Sequence, residues 1–357
     1  MNKFLLMGLT ALMLTQSAVF AQTSKEVTDL PDISVIGNMI GTQSDGKNDF
    51  SVKEIELSFQ HYLYPSLKAD VFMALHKEDS GQRNFELEEA YVTALDLYGL
   101  LNPNSSRNLG LGLALGQKRV NIGKVNPLHP EQWRFVDRPL AIQQFLGGAE
   151  GLSAEGGHLN YLLPLPIFSQ VELGYWTVQA HAEEAGAEEA HGVEFENKLL
   201  NGRLWNSLAL SQSQELELGL NYLLGNASSS STDDQQTVMG LDLTYSKEFA
   251  MDRYLKLQAE FYQAKYGEEG ESPEEQQGGF LSGVYQFSPK FQAGVRYGTL
   301  SKHGDEGNVK NQVALMATRQ LSETSKFRLQ YNSGDNVTSA VYAQFIFGMG
   351  PHSHVLQ

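Results

Sequence analysis

Cysteine is absent from all 357 residues. Its absence excludes a disulfide scaffold, a catalytic thiol and a thiolate metal site. Long apolar runs are scarce as well. Beyond position 21 no stretch approaches the ~20 apolar residues of a membrane-spanning helix. Positive charge is in the minority: 26 Lys and Arg stand against 42 Asp and Glu, a net charge of −16. That balance disfavours a nucleic-acid partner. Enzyme signatures are missing too. There is no GxSxG, no HExxH and no phosphate loop, so the reading is non-enzymatic and implies no cofactor.

What is present begins with an export signal. Residues 1–21 carry Lys3, a short apolar run from Phe4 to Leu14, and small residues before Gln22. This pattern predicts a cleaved signal peptide and a mature chain of 22–357. Glycine and tyrosine are plentiful, 34 and 15. In an acidic, cysteine-free, exported chain, these suit a bacterial outer-membrane barrel.

Period two is the main signal downstream. Ile55, Leu57 and Phe59 alternate with Glu54, Glu56, Ser58 and Gln60. Val171, Leu173 and Tyr175 alternate with Gln170, Glu172 and Gly174. Leu216, Leu218 and Leu220 alternate with Glu217 and Gly219, and Phe327, Leu329 and Tyr331 with Arg328 and Gln330. Such alternation predicts strands with one apolar and one polar face. About sixteen strands of membrane-crossing length follow, with mostly short turns at one end and longer polar connections such as 43–50 and 182–201 at the other. An even count places both termini in the periplasm. The predicted fold is all-β: one transmembrane antiparallel barrel over 22–357.

One stretch does not alternate. Residues 121–155 hold Pro127, Pro130, Pro139, Trp133 and a mixture of charges. By strand counting this is the third external loop. Within it, PLAIQQFLG (139–147) spaces Leu140, Ile142, Phe145 and Leu146 as one helix face, with proline at the first helical position.

The arrangement resembles sixteen-stranded general and specific porins over the whole mature chain. In that family the third external loop folds into the lumen and narrows it, and trimers are common. The resemblance therefore implies a loop 121–155 that constricts a water-filled pore. It also implies outer-membrane lipid around the wall, small hydrophilic solutes or ions as cargo, and a homotrimer. The segments FELEEAYVTAL, GKVNPLHPEQWRFVDRPL and YLLPLPIFSQVELGYW are also similar to proteins known as zinc-regulated outer-membrane receptors. The C-terminus departs from the porin pattern. The aromatic strand AVYAQFIF ends at Phe347 and GMGPHSHVLQ follows, as a periplasmic tail or a strand that runs on.

Alternation assigns a lumen face. Its acids include Glu54, Glu56, Asp70, Glu86, Glu88, Glu172, Glu217, Asp242 and Glu260. Its bases include Lys68, Lys118, Lys256, Arg296 and Arg328. By this count the wall leans towards cations. The loop adds Lys124, Arg134 and Arg138 against Glu131, Asp137, Glu150 and Glu155, a near balance. These charges can form a transverse field across a constriction. They can also serve structure, with Arg134, Asp137 and Arg138 pairing with one another and holding the loop to the wall. A second candidate is the acidic loop HAEEAGAEEAHG, where His181, Glu183, Glu184 and His191 could gather zinc or another divalent cation. A solvated acidic loop is the competing reading there, and His352 and His354 read as tail.

Overall fold

The computed structural model describes residues 30–77, 82–178, 193, 195–226, 235–250, 252–266, 274–301 and 309–351. Sixteen strands follow one another along the chain. The first eight are β1 (Asp32–Ser44), β2 (Lys47–Tyr64), β3 (Leu67–Lys77), β4 (Arg83–Ala94), β5 (Leu111–Arg119), β6 (Ser153–Leu162), β7 (Phe168–Val178) and β8 (Glu196–Ser211). The second eight are β9 (Gln214–Asn226), β10 (Gln235–Phe249), β11 (Arg253–Tyr266), β12 (Glu274–Ser288), β13 (Phe291–Ser301), β14 (Val309–Ser322), β15 (Ser325–Asp335) and β16 (Ala340–Met349). Each pairs antiparallel with its sequence neighbours, and β1 pairs with β16 to close the ring. Closure leaves no open sheet edge, the condition for strands to cross lipid with every backbone group bonded. No helix among the described residues is long and apolar enough to cross a membrane, which says nothing of strands.

Sidedness is inverted relative to a water-soluble protein. On β7, Glu172 is 3% exposed while its neighbour Leu173 is 63% exposed. The same exchange holds on β9 for Asn221 and Leu220, on β11 for Glu260 and Phe261, and on β15 for Arg328 and Leu329. Because neighbours on a strand point to opposite faces, apolar side chains cover the outside and polar ones fill the inside.

Several boundaries differ from those read off the sequence. The long connection expected at 43–50 is a two-residue turn, Asp45-Gly46, both with positive φ (49° and 73°). That is the Asp-Gly hairpin chemistry of a type I′ turn, and it outweighs the polarity that suggested a loop. Strand β8 starts at Glu196, inside the expected 182–201 loop. Between β4 and β5 lies a short helix, α1 (Leu97–Leu101), and β16 runs on to Met349, two residues beyond Phe347.

Candidate functional site

The connection from β5 to β6 spans 120–152 and does not leave the barrel. Its two ends are stapled together. Val120 N–H bonds to Leu152 O at 2.9 Å, and the buried Asn126 side chain donates to both Val120 O and Leu152 O while accepting from Leu152 N. Arg138 donates to Asn126 Oδ1 at 2.8 Å, to Leu146 O at 3.1 Å and to Gly148 O. These last carbonyls belong to the end of α2 (Leu140–Phe145), so Arg138 closes the helix C-terminus. Burial first, then the nearby Arg119 charge, push its guanidinium down to about 9. Helix α2 matches the expected spacing, with Pro139 one residue earlier, at the cap. Ala141, Ile142, Phe145 and Leu146 are fully buried in an apolar cluster with inward residues of the wall, among them Leu199, Leu223, Tyr262, Phe280 and Leu300. The inner face is therefore apolar where the helix sits and polar elsewhere.

The rest of the segment is bonded to strands around the ring. Asn121 donates to Glu172 on β7 at 2.7 Å, and Gly123 N–H to Asn221 on β9 at 3.0 Å. The N–H groups of Lys124 and Val125 both donate to Glu260 Oε1 on β11, each at 3.0 Å. Arg203 on β8 donates to Gly123 O and pairs with Asp242 on β10 at 3.2 Å. Lys124 pairs with Glu217 and lies 4.1 Å over the Trp205 ring. On the far side, Arg296 of β13 donates to Asp137 O and Oδ2 at 2.7 and 2.8 Å. Gln330 and Asn332 of β15 also donate to the Asp137 carboxylate. Arg328 donates to Phe135 O and Trp133 O, at 3.0 and 2.7 Å, and Lys326 to Glu131 O at 2.6 Å. These wall residues are buried, apart from the half-buried Glu217 and Trp205, and the segment runs across the barrel interior.

A third anchor lies against β2–β4. His129 Nδ1 stands 2.8 Å from Glu56 Oε2 and 3.1 Å from Glu88 Oε2, and its Nε2 stands 2.9 Å from Glu89 Oε2. Arg119 donates through its N–H to Glu89 at 2.6 Å and approaches Glu88 at 3.4 Å. Burial and the Arg119 charge pull the imidazole down, but the three carboxylates hold it well above its ordinary range. Glu131, also buried, is pushed up to about 7 by burial and by the Glu56 charge beside it.

The sequence-predicted residues thus divide. Glu54, Glu56, Glu88 and Glu131 gather around His129 and His76, with His76 Nε2 at 3.1 Å from Glu88 Oε1. Lys118 lies 4.3 Å over the Tyr91 ring and 3.9 Å from Glu89. Asp70 accepts from Lys68 and Gln60 on the wall, away from the segment. Arg134 reaches Tyr254 at 3.3 Å. Of the three residues expected to pair and hold the loop to the wall, Asp137 binds Arg296, Gln330 and Asn332, Arg134 reaches Tyr254, and Arg138 binds the segment itself. Glu86 is exposed rather than inward. Strand β4 pairs with β5 only over Ala90–Ala94, so residues 83–87 project past its partner's end. A bulge at Glu88, where Phe72 faces Glu89 and Met73 faces Leu87, resets the alternation and brings Glu89 inside. Strict period two placed Glu89 outside. His129 and Asn126 were missed because irregular backbone carries no period; the only hint was a lone His beside Pro130 and Glu131. His181, Glu183, Glu184 and His191 lie outside the described residues, as do His352, His354 and residues 1–21, where a signal peptide is expected.

Between the segment and the wall lies a cavity of about 200 Å³. Its charged lining is Lys124, Arg134, Lys256 and Arg296 against Asp137 and Glu217. The balance is opposite to that of the whole wall, because Glu54, Glu56, Glu88, Glu89 and Glu260 are buried under the segment.

No family model matches the chain. An uncharacterised protein of Aquifex aeolicus is 26% identical over 320 residues, a match covering 77% of this chain and 65% of that protein. The chain thus spans less than two thirds of that relative. Among solved structures, OprB of Pseudomonas putida is similar with a TM-score of 0.60 at 12% identity, over 90% of this chain and 94% of OprB. An anion-selective porin from Comamonas acidovorans gives 0.57 at 12%, over 89% and 98%. OmpT of Vibrio cholerae, an outer-membrane protein in a trimer form, gives 0.57 at 10%, over 90% and 100%. None of these is described as a zinc receptor. At such identities the likeness concerns the fold, and the fold of this chain is the closed barrel of the outer-membrane porins.

Proposed function

We propose that the chain is an outer-membrane porin through which small hydrophilic solutes or ions diffuse passively. The observation that carries this reading is the inverted wall, with apolar side chains exposed outward and polar and charged ones turned inward around a closed ring. An apolar outside suits lipid and a polar inside suits water. Segment 121–155 is the constriction, and the cavity beside it belongs to the water-filled path. Four basic groups against two acidic ones at that cavity favour anions over cations there, since fixed charge lining an ion path sets the local potential. The outer membrane is the site of action, reached through the signal peptide 1–21, and the assembly is a homotrimer. No chemical step and no energy source is involved.

The test is planar-bilayer recording of the folded, detergent-purified chain. Discrete conductance steps are expected, with a reversal potential under a salt gradient that reports anion preference. Correctly folded protein that never conducts would overturn the channel reading.

A further inference from the structure

The His129 cluster does more than anchor the segment. Glu56, His129 and Glu131 each place a ligand atom within 4.8 Å of the other two, and all three residues are about 1% exposed. Neither carboxylate oxygen of Glu131 has a hydrogen-bond partner among the described residues. A buried carboxylate left in that state carries a large desolvation penalty unless a cation or proton meets it. The wall strands and the segment converge here: Glu56 comes from β2, Glu88 from β4, and His129 and Glu131 from the turn of 3-10 helix at Pro130–Gln132.

We propose that Glu56, His129 and Glu131, with Glu88 beside them, bind one divalent cation of borderline character, such as Zn²⁺ or Mn²⁺. Ligand atoms bound at ~2.0–2.2 Å to a tetrahedral ion stand roughly 3.3 Å apart. His129 Nδ1 is 2.8 Å from Glu56 Oε2 and 3.1 Å from Glu88 Oε2. These two spacings need only small shifts, while a Glu131 oxygen starts within 4.8 Å of the Glu56 and His129 donors and closes in on the ion. On binding, Nδ1 gives up its proton, while Nε2–H stays on Glu89 at 2.9 Å and fixes the ring. One imidazole with carboxylates selects borderline ions over Ca²⁺, which takes oxygen ligands in larger number. Arg119 and Lys118 offset charge at Glu88 and Glu89, leaving Glu56 and Glu131 as the carboxylates the cation neutralises. The ion would bolt residues 129–131 to β2 and β4. The proposal involves neither His181 nor His191 and does not depend on whether the barrel conducts.

The experiment uses the untagged full chain folded in detergent, stripped with chelator and dialysed against Zn²⁺ or, separately, Ca²⁺, with bound metal measured by mass spectrometry. The wild type is expected to retain one equivalent of Zn²⁺ at this site and no Ca²⁺. Glu131→Gln and Glu56→Gln, each checked for folding by heat-modifiable migration, should bind Zn²⁺ more weakly by at least the ~10–100-fold that loss of an outer-shell partner costs. His181→Ala/His191→Ala should bind as the wild type does. X-ray absorption of the zinc-loaded wild type, which needs no variant, should show a single imidazole in an otherwise oxygen shell. No retained zinc, a shell of two or more imidazoles, or unchanged affinity in both glutamine variants would overturn the proposal.

Discussion

At the residue scale, Gly123 shows how closely the internal segment meets the wall. Its φ is +62°, and a Cβ there would lie 2.1 Å from the Tyr262 hydroxyl and 2.2 Å from Glu260 Oε2. A left-handed backbone costs a non-glycine residue roughly 1–2 kcal/mol, and the clash adds to it. Gly123→Val is therefore expected to unseat residues 121–125 from β9 and β11, seen as increased protease access to the segment in an otherwise closed barrel. Lys256 makes a different prediction. It lines the cavity on the wall. Lys256→Glu changes the lining by two charges and is expected to shift the reversal potential towards cations, without altering thermal stability measurably. An unchanged reversal potential would mean that ions do not pass this cavity. Neither residue could be ranked from its own neighbourhood in the chain. Lys256 reads as one inward base among several, and Gly123 as one glycine among 34.

At the element scale, the internal segment is held by three kinds of interaction. Apolar burial seats α2, charge-assisted bonds from Arg296 and Arg328 hold 133–137, and the carboxylate–histidine cluster holds 129–131. Phe145 has no exposure. Phe145→Ala is expected to cost about 3–5 kcal/mol of segment stability, measured as a lower temperature for protease entry, with the barrel itself intact. Deleting 127–146 should raise single-channel conductance and the solute size limit; an unchanged conductance would remove this segment from the conducting path. The helix within the segment was legible because four apolar residues share one face. The anchors were not, because each pairs a residue of 120–152 with one from 40 to 195 positions away, as in His129 with Glu89 and Trp133 with Arg328.

At the scale of the whole molecule, closure of β1 on β16 and the inverted faces organise the structure, and the buried apolar cluster is confined to the seat of the internal segment. Every strand has two partners, so the ring lacks the unpaired edge that drives strands to aggregate. Light scattering with detergent correction is expected to give the mass of three chains; a strictly monomeric mass would remove the trimer from the proposal.

Period-two alternation and turn chemistry determined the barrel, its strand count and the place of the non-alternating stretch, because a strand's two faces and its turns are local properties of the chain. Even these failed locally where a bulge at Glu88 reset the period and where Asp45-Gly46 made a tight turn out of an apparent loop. Only the tertiary structure decided what the segment from 120 to 152 touches. Closing the ring carries wall carboxylates from distant strands under the segment, so the acids that seemed to set the lumen's charge are taken up by anchors. What remains beside the cavity is basic, and what gathers around His129 is a set of ligands that no stretch of sequence contains together.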